Sequence, residues 1–218
     1  MSLATFFHED PAVAVFGQRV ATEFSGEASG HDWWHVWRVW RLARRLAQEE
    51  GADLRIVELA ALGHDVEDYK LGRPPGTLMT WLREAGVDKV TIDRVNEICH
   101  RISFMGAGVD DNMPSLEGQV VQDADRLDAI GAIGVARAFA YGGAHGRELY
   151  DPAEKPELHE SFESYKKSGS SSLMHFYEKL FLLADRMHTP SARRLARQRH
   201  AFMEDFVARF LAEWEGEA

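Results

Sequence analysis

Helix-start and helix-stop residues recur along the whole chain, and no stretch of useful length alternates apolar and polar residues as a half-buried strand would. Asp10 and Pro11, for example, form a favourable N-cap and first helical position ahead of an apolar-periodic run to about Phe24. The predicted helices span 11–24, 32–50, 54–68, 77–86, 88–102, 116–141, 173–187 and 190–214. The sequence therefore predicts an all-α fold.

One helical bundle is the simplest domain organisation for residues 1–218, because a single globular core typically occupies about 100–200 residues. The polar segment 143–172 is the exception to the helical pattern, with the runs GGAHG, DPAEKP and KKSGSSS. We expect this segment to be a mobile lid or a surface excursion that contributes nothing to the core.

The net charge of −10 argues against an extended nucleic-acid partner, since that partner needs a basic surface. Small anions remain acceptable ligands if a cation is bound locally. The N-terminus lacks the pattern of a signal peptide, and no window is apolar enough for a membrane span. We expect the lone cysteine, Cys99, to be a small buried apolar group. We therefore expect a cytoplasmic protein with no membrane association.

His64 and Asp65 are adjacent on an apolar predicted helix, in the run ALGHDVEDYK. Burying both without partners would cost several kcal/mol, and a metal ion or a set of hydrogen bonds would remove that cost. His35 lies on the preceding helix, and a short turn favours antiparallel packing of the two helices. Apposition of His35 and His64 is therefore a hypothesis. His31, four residues before His35 on the same face, is an alternative ligand or a pocket-lining residue.

A further ligand is expected from the run VVQDADRLDAIGAIG, where Asp123, Asp125 and Asp128 lie on one predicted helix. Carboxylates two residues apart point in different directions, so they cannot easily reach the same ion. Asp123 and Asp128 border the apolar arc of that helix, while Asp125 points away from it. Periodicity alone does not select Asp125.

This ordered set resembles the HD-domain superfamily of metal-dependent phosphohydrolases. The family pattern is a His, then an adjacent His-Asp pair, then a distant Asp on an Ala-Asp-hydrophobic helix. His35, the pair His64 and Asp65, and Asp125 match it in order and context. The resemblance implies that these four residues hold a divalent cation, within a metal-site core of about 31–141. The C-terminal helices also look like those of a small, stand-alone bacterial subgroup.

Asp68 matches the acidic position after the His-Asp pair that members of the family use in catalysis. On a continuous helix it would share a face with His64 and reach a metal-bound water, which it could orient or deprotonate. Glu67 is the second candidate, although its plainer interpretation is an exposed carboxylate at a helix end. Asp68 could equally be a hydrogen-bond acceptor that positions a ligand.

Lys70 and Arg73 follow in a loop and are candidates for binding phosphate oxygens, with solvated surface charge as the alternative. His100 could support the site or bind a second cation, but we expect a satisfied core histidine. A tryptophan cluster at helical spacing could stack on a base, yet such residues are more often core. The cluster consists of Trp33, Trp34, Trp37 and Trp40.

Two histidines and two carboxylates suit Mn²⁺, Fe²⁺, Co²⁺ or Ni²⁺, with Mg²⁺ as a further candidate. The resemblance implies hydrolysis of phosphoester or phosphoanhydride bonds, with a nucleotide as the small anionic substrate. Two alternatives are a dinuclear HD-type oxygenase, with His31 and His100 as extra ligands, and a non-catalytic nucleotide-binding sensor. A homodimer is left open.

Overall fold

Every regular element that the computed structural model describes is helical, within residues 6–26, 32–102, 112–156 and 170–217. The helices are α1 (Pro11–Glu23), α2 (Trp33–Glu50), α3 (Leu54–Gly63), α4 (Thr77–Glu84), α5 (Lys89–Arg101), α6 (Leu116–Asp128), α7 (Gly131–Ala144) and α8 (Pro190–Trp214). A mixed helical segment, Phe176–Leu180, Phe181–Leu183 and Ala184–Arg186, precedes α8. The prediction of an all-α fold is confirmed. No helix within the described ranges is both long and apolar enough to cross a membrane.

Predicted capping residues begin several of these helices, because a side-chain oxygen can satisfy backbone N–H groups that the first turn leaves without a partner. The residue types also predict Asp53 and Thr189 as N-caps, and Asp10, Asp53 and Thr189 all accept such bonds. The sequence predicts Thr77 as the N-cap of α4, and this prediction was wrong. Gly76 is its N-cap and supplies no side chain, while the hydroxyl of Thr77 donates to the carbonyl oxygen of Pro74 instead.

The described residues fall into two compact units, and the first lies within Met1–Ser103 and Met113–Ala124. At its centre α3 packs against α1, α2 and α5. All eight residues from Ile56 to Gly63 are buried, as expected for a helix that is apolar on most sides. A single domain over the whole chain stays a prediction.

Helix α3 ends at Gly63, earlier than predicted, and His64 to Glu67 form consecutive turns. Nδ1 of His64 lies 2.8 Å from the carbonyl oxygen of Ala61 at this ending. In a continuing α-helix the backbone N–H of Val66 would donate to the carbonyl oxygen of Leu62. Val66 N–H instead donates to Gly63, at 3.0 Å. Asp68 therefore does not share a helical face with His64.

The second unit lies within Phe104–Asn112 and Asp125–Ala218, so the boundary between the units falls inside α6. Here α7 packs against α8 around the rings of Phe139, Phe206 and Phe210. The long helix predicted for 116–141 is in fact α6 and α7. It breaks because Ile130 is extended and Gly131 has a φ of 76°.

The polar segment 143–172 is only partly described, since 157–169 lie outside the described residues. Its last residues, Ser171 and Ser172, are each 2% exposed. The expectation that nothing in this segment joins the core was therefore wrong at this end. The backbone of Ser172 donates to Glu148, which holds the returning chain against the residues after α7. A lid role stays a prediction.

The break before α7 generates a stability prediction. Replacing Gly131 by Ala should lower the free energy of unfolding by about 1–2 kcal/mol, because an L-residue is strained at this φ. The added Cβ would also lie 2.9 Å from Cγ of Arg199. Urea denaturation measures the change. Gly143→Ala is the matched control, since its Cβ would meet nothing within 4 Å, and equal losses in both variants would contradict this account.

Candidate metal centre and adjoining pocket

Two buried imidazoles meet where α2 begins and α3 ends. Asp32 caps α2 by accepting from the backbone N–H of His35 at 2.8 Å, which fixes His35 in the first turn. His64 follows the last residue of α3. Nε2 of His35 lies 3.2 Å from Nε2 of His64, and the two residues are 1% and 8% exposed. The helix packing that the short turn suggested does bring these side chains together.

The carboxylate of Asp65 completes a triangle of donor atoms. Its Oδ2 lies 3.4 Å from Nε2 of His35 and 3.2 Å from Nε2 of His64. Ligand atoms about 2.0–2.2 Å from one ion, in tetrahedral or octahedral arrangement, lie roughly 3.0–3.6 Å from one another. The three atoms therefore have the spacing that a single bound divalent cation requires.

The hydrogen bond at the far side of the His64 ring indicates which nitrogen faces this triangle. Because the carbonyl oxygen of Ala61 can only accept, Nδ1 of His64 carries the hydrogen. In the neutral ring, Nε2 then directs a lone pair towards His35 and Asp65. A backbone carbonyl that orients the second nitrogen in this way is the usual support of a metal-binding histidine. The donor chemistry thus fits a cation.

The other candidate ligands differ in their burial and in their partners. Asp125 is half-buried on α6, in the second unit, and its part in the metal site stays a prediction. Asp123 is fully buried. Asp128 is 4% exposed and is paired with Arg137, whose Nη1 lies 2.6 Å from Oδ2, so this carboxylate has a structural partner. His31 lies outside the described residues.

A pocket of about 280 Å³ adjoins His64, and all of its lining residues belong to the first unit. The lining comes from the turns after α3, the loop before α4 and the last turn of α5. It consists of Gly63, His64, Glu67, Asp68, Arg73, Pro75, Leu78, Cys99 and His100. Asp68 thus reaches the neighbourhood of His64 through turns rather than along a helix. The side chain of Lys70 lies outside the described part of the structure.

Glu67 has a structural role that sequence reasoning missed. Its Oε1 accepts from the backbone N–H of Leu78 at 2.8 Å, in the first turn of α4. Since Gly76 supplies no capping side chain, Glu67 serves as the cap from a distance. Its side chain is 17% exposed, so the interpretation as an exposed carboxylate was wrong. The turn that carries His64 and Asp65 is thereby tied to α4.

Arg73 is a fixed cation at the pocket wall rather than a solvated surface charge. Its guanidinium carbon lies 4.5 Å from the ring centroid of Phe24 and 5.4 Å from that of Trp81. Nη2 donates to the carbonyl oxygen of Glu23 at 3.2 Å. Nη1 is buried and has no hydrogen-bond partner among the described residues.

His100 was expected in the core, but its side chain is 59% exposed at the end of α5. The preceding residue is buried as predicted, with Sγ of Cys99 3.6 Å from the carbonyl oxygen of Ala60. Burial raises the pKa of the Cys99 thiol far above its ordinary value, and the carboxylates of Asp65 and Glu67 raise it further. The thiol therefore stays protonated and is unsuited to metal binding or nucleophilic attack.

The tryptophan cluster is mainly core, as expected. Trp33 and Trp40 are 5% and 4% exposed, and both rings contact Phe6, with centroids 5.9 and 5.0 Å apart. Trp37 is half-buried, while Trp34 is 54% exposed. None of the four is among the residues that line the pocket.

Comparison with known proteins agrees with this geometry. A family model described as HD domain matches residues 33–130. The uncharacterized protein YpgQ of Bacillus subtilis is 44% identical over 196 residues, which cover 86% of each chain. The chain belongs to the HD-domain family.

Solved structures extend the likeness beyond the matched range. Bacillus subtilis YpgQ in complex with ADP has a TM-score of 0.75 at 38% identity, over 93% of this chain and 94% of that one. An HD-superfamily hydrolase from Bacillus thuringiensis has a TM-score of 0.74 at 41% identity, over 93% and 96%. Membership in the HD family, together with these neighbours, places the chain among metal-dependent hydrolases.

The donor triangle generates a prediction about metal content. Saturating Mn²⁺ should raise the melting temperature, since a ligand at a hundred times its Kd stabilises the native state by about 2.7 kcal/mol. His35→Gln should reduce both this shift and the bound metal measured by elemental analysis. His145→Gln, an exposed histidine of the second unit, is the control. Unchanged metal content in His35→Gln would argue against the triangle as the binding site.

The capping role of Glu67 generates a second prediction. Glu67→Ala should lower the free energy of unfolding by about 0.5–2 kcal/mol, because the first turn of α4 loses its acceptor. Glu67→Gln retains an oxygen for Leu78 N–H and should cost much less. Denaturation of metal-loaded protein compares the two. Equal stability of both variants and the native chain would rule out the capping role.

Proposed function

We propose that this HD protein is a nucleotide phosphohydrolase, with a divalent cation held by His35, His64, Asp65 and Asp125. The observation that supports it most directly is the donor triangle beside a pocket with a fixed arginine. Such a pairing suits phosphate, because a cation and a guanidinium can each neutralise anionic oxygens. Asp125 enters as fourth ligand on the family pattern.

A bound divalent ion would lower the pKa of water towards neutrality and withdraw charge from a phosphoryl oxygen. Residues of the chain hold the two histidine ligands in position. The hydrogen bond from Nδ1 to the carbonyl oxygen of Ala61 holds the His64 ring, and the backbone cap from Asp32 holds the turn that bears His35. Mn²⁺, Fe²⁺, Co²⁺, Ni²⁺ and Mg²⁺ are the candidate ions for this mixed nitrogen and oxygen set.

Asp68 is the proposed catalytic carboxylate, as orienting group or general base for the water. It lines the same pocket as His64 and follows the ligand turn directly. Glu67 is less suited, since its carboxylate already accepts from Leu78 N–H and its removal would disturb α4. Asp68 is also the residue that the sequence favoured, but for a different reason. The turns after α3, and not a shared helical face, place Asp68 near His64.

The proposed substrate class rests on the cationic residues near the pocket and on a similar protein. The cationic side chain of Arg73 lines the pocket, and Lys70 precedes it in the loop. Bacillus subtilis YpgQ has been crystallised in complex with ADP, which favours a nucleotide here too. We propose phosphoester or phosphoanhydride hydrolysis of a free nucleotide in the cytoplasm. The charge of −10 disfavours extended nucleic acid.

The role of Asp68 is tested by a pair of isosteric variants. Asp68→Asn should lower kcat for nucleotide hydrolysis by about a hundred- to ten-thousand-fold while metal content stays near that of the native protein. Asp65→Asn should lower both, because it weakens a direct ligand. Turnover is measured with a panel of nucleoside mono-, di- and triphosphates, alongside elemental analysis.

Glu67→Gln is the matched comparison, since it removes the charge and keeps the acceptor for α4. If it abolished turnover while Asp68→Asn kept near-native turnover, Glu67 would be the catalytic carboxylate. A metal-loaded native protein that binds ADP and hydrolyses no nucleotide would instead identify a sensor.

A further inference from the structure

A short non-helical segment ahead of α1 lies against both helices that present histidines to the donor triangle. We call this segment, residues 6–10, the strap. Phe6 of the strap packs on tryptophans of α2, the helix that bears His35. His8 reaches Glu58 of α3, the helix that the second of these histidines follows. The strap therefore contacts the two elements whose spacing sets the triangle.

The ring of Phe6 is the apolar anchor of the strap. It is 5% exposed and meets the rings of Trp33 and Trp40 edge-on, with centroids 5.9 and 5.0 Å away. It also fills a notch on α1 at Gly17, where an added Cβ would lie 2.6 Å from Cδ1 of Phe6. The backbone N–H of Phe6 donates to Oε1 of Gln18 at 2.8 Å. The ring is thus held by α1 and α2 together.

His8 is the polar anchor of the strap. Its Nδ1 accepts from the backbone N–H of Asp10 at 3.0 Å, so Nε2 carries the hydrogen and donates to Oε1 of Glu58, also at 3.0 Å. Glu58 is 2% exposed, and the same oxygen lies 2.6 Å from Nε of Arg44 on α2. One buried carboxylate of α3 therefore joins the strap to both ligand-bearing helices.

The contact between Phe6 and Trp33 connects the strap to the metal triangle. Trp33 is the first residue of α2, two positions before His35, and its backbone N–H donates to the carbonyl oxygen of Phe24 at 3.2 Å. Because close-packed interiors transmit small displacements, loss of the Phe6 ring should shift Trp33 and the turn that follows it. A ligand has to be held within about 0.5 Å of its productive position. The first turn of α2 therefore depends on the strap for the accuracy that a metal ligand needs.

We propose that Phe6 is a positioning residue for His35 and that the strap and the cation stabilise each other's binding. The proposal rests on the metal site of the proposed function, and it adds a residue that lies two positions from no ligand and does not line the pocket. With the strap docked, α2 and α3 hold the two histidines at the spacing of the triangle. Coupling of this kind is reciprocal, so a bound cation also favours the docked strap.

The experiment measures the Kd for Mn²⁺ by calorimetry on the full chain. Phe6→Ala should raise this Kd by about fivefold to a hundredfold, the usual range for coupled sites. Phe6→Leu refills most of the space with apolar atoms and should restore most of the affinity. Phe7→Ala is the matched control, because the neighbouring ring is 83% exposed, and it should keep the native Kd.

Gly17→Ala displaces the same ring without removing it, since the new Cβ would occupy part of the notch. Alone, this variant should weaken Mn²⁺ binding as Phe6→Ala does. In the Phe6→Ala background the notch is empty, so Gly17→Ala should raise the Kd no further. This double-mutant cycle attributes the loss to the contact between the ring and α1.

Hydrogen exchange of the Phe6 amide gives the reciprocal readout, because this N–H is bonded to Gln18 only while the strap is docked. Saturating Mn²⁺ should slow its exchange in the native chain. In His35→Gln the same addition should leave the exchange rate unchanged. A native amide that exchanges equally fast with and without bound Mn²⁺ would contradict the coupling.

The outcomes separate this inference from the metal site on which it rests. Melting temperatures show which variants fold, and if Phe6→Ala does not fold, Gly17→Ala decides. Folded Phe6→Ala and Gly17→Ala with the native Kd would overturn the inference while the metal site stands. An equal rise in Kd for Phe7→Ala, or for Gly131→Ala in the second unit, would also overturn it, because general destabilisation would then explain the loss. Native chain that binds no Mn²⁺, or whose binding is unaffected by His35→Gln, would contradict the metal site itself.

Discussion

The hydrogen bond between the His64 ring and the carbonyl oxygen of Ala61 is the interaction on which the site depends. It forms where α3 ends and the chain turns. It also sets the tautomer that points Nε2 at His35 and Asp65. One contact at the end of the central helix therefore sets how this ligand is presented.

Near this hydrogen bond, the buried residues and the charged residues have different roles. α3 is buried along eight residues and gives the ligands a rigid support, whereas most of the charged residues that line the pocket belong to loops and turns. Rigid elements hold ligands more accurately than loops do, and loops more readily admit a substrate. Arg73 combines both properties, because aromatic rings and a backbone carbonyl immobilise a loop side chain.

Much of the fold could be predicted from the sequence, because caps and apolar periodicity are local signals that tertiary packing reinforced at α1, α2, α5 and α8. The errors came where a helix gives way to turns within an apolar run or where one residue takes a left-handed conformation. Helix α3 ended at Gly63, and Gly131 divided the long helix predicted for 116–141. The proximity of His35 and His64 was only a hypothesis, since a short turn does not set which side chains meet. The cap from Glu67 to α4 has no sequence signal, because its partner lies eleven positions away across a proline-rich loop.

The long-range cap also bears on how such a centre could be transferred to another protein. A designer who copied only the His-Asp dipeptide onto a helix would place both side chains on a continuing helix. The carbonyl of Ala61, the turn, and the bond from Glu67 to the first turn of α4 form one unit with the ligands. The smallest fragment to transfer is therefore α3, the turn and the start of α4, together with the first turn of α2 that bears His35. Sequence motifs shorter than that fragment specify the residues of the centre but not its shape.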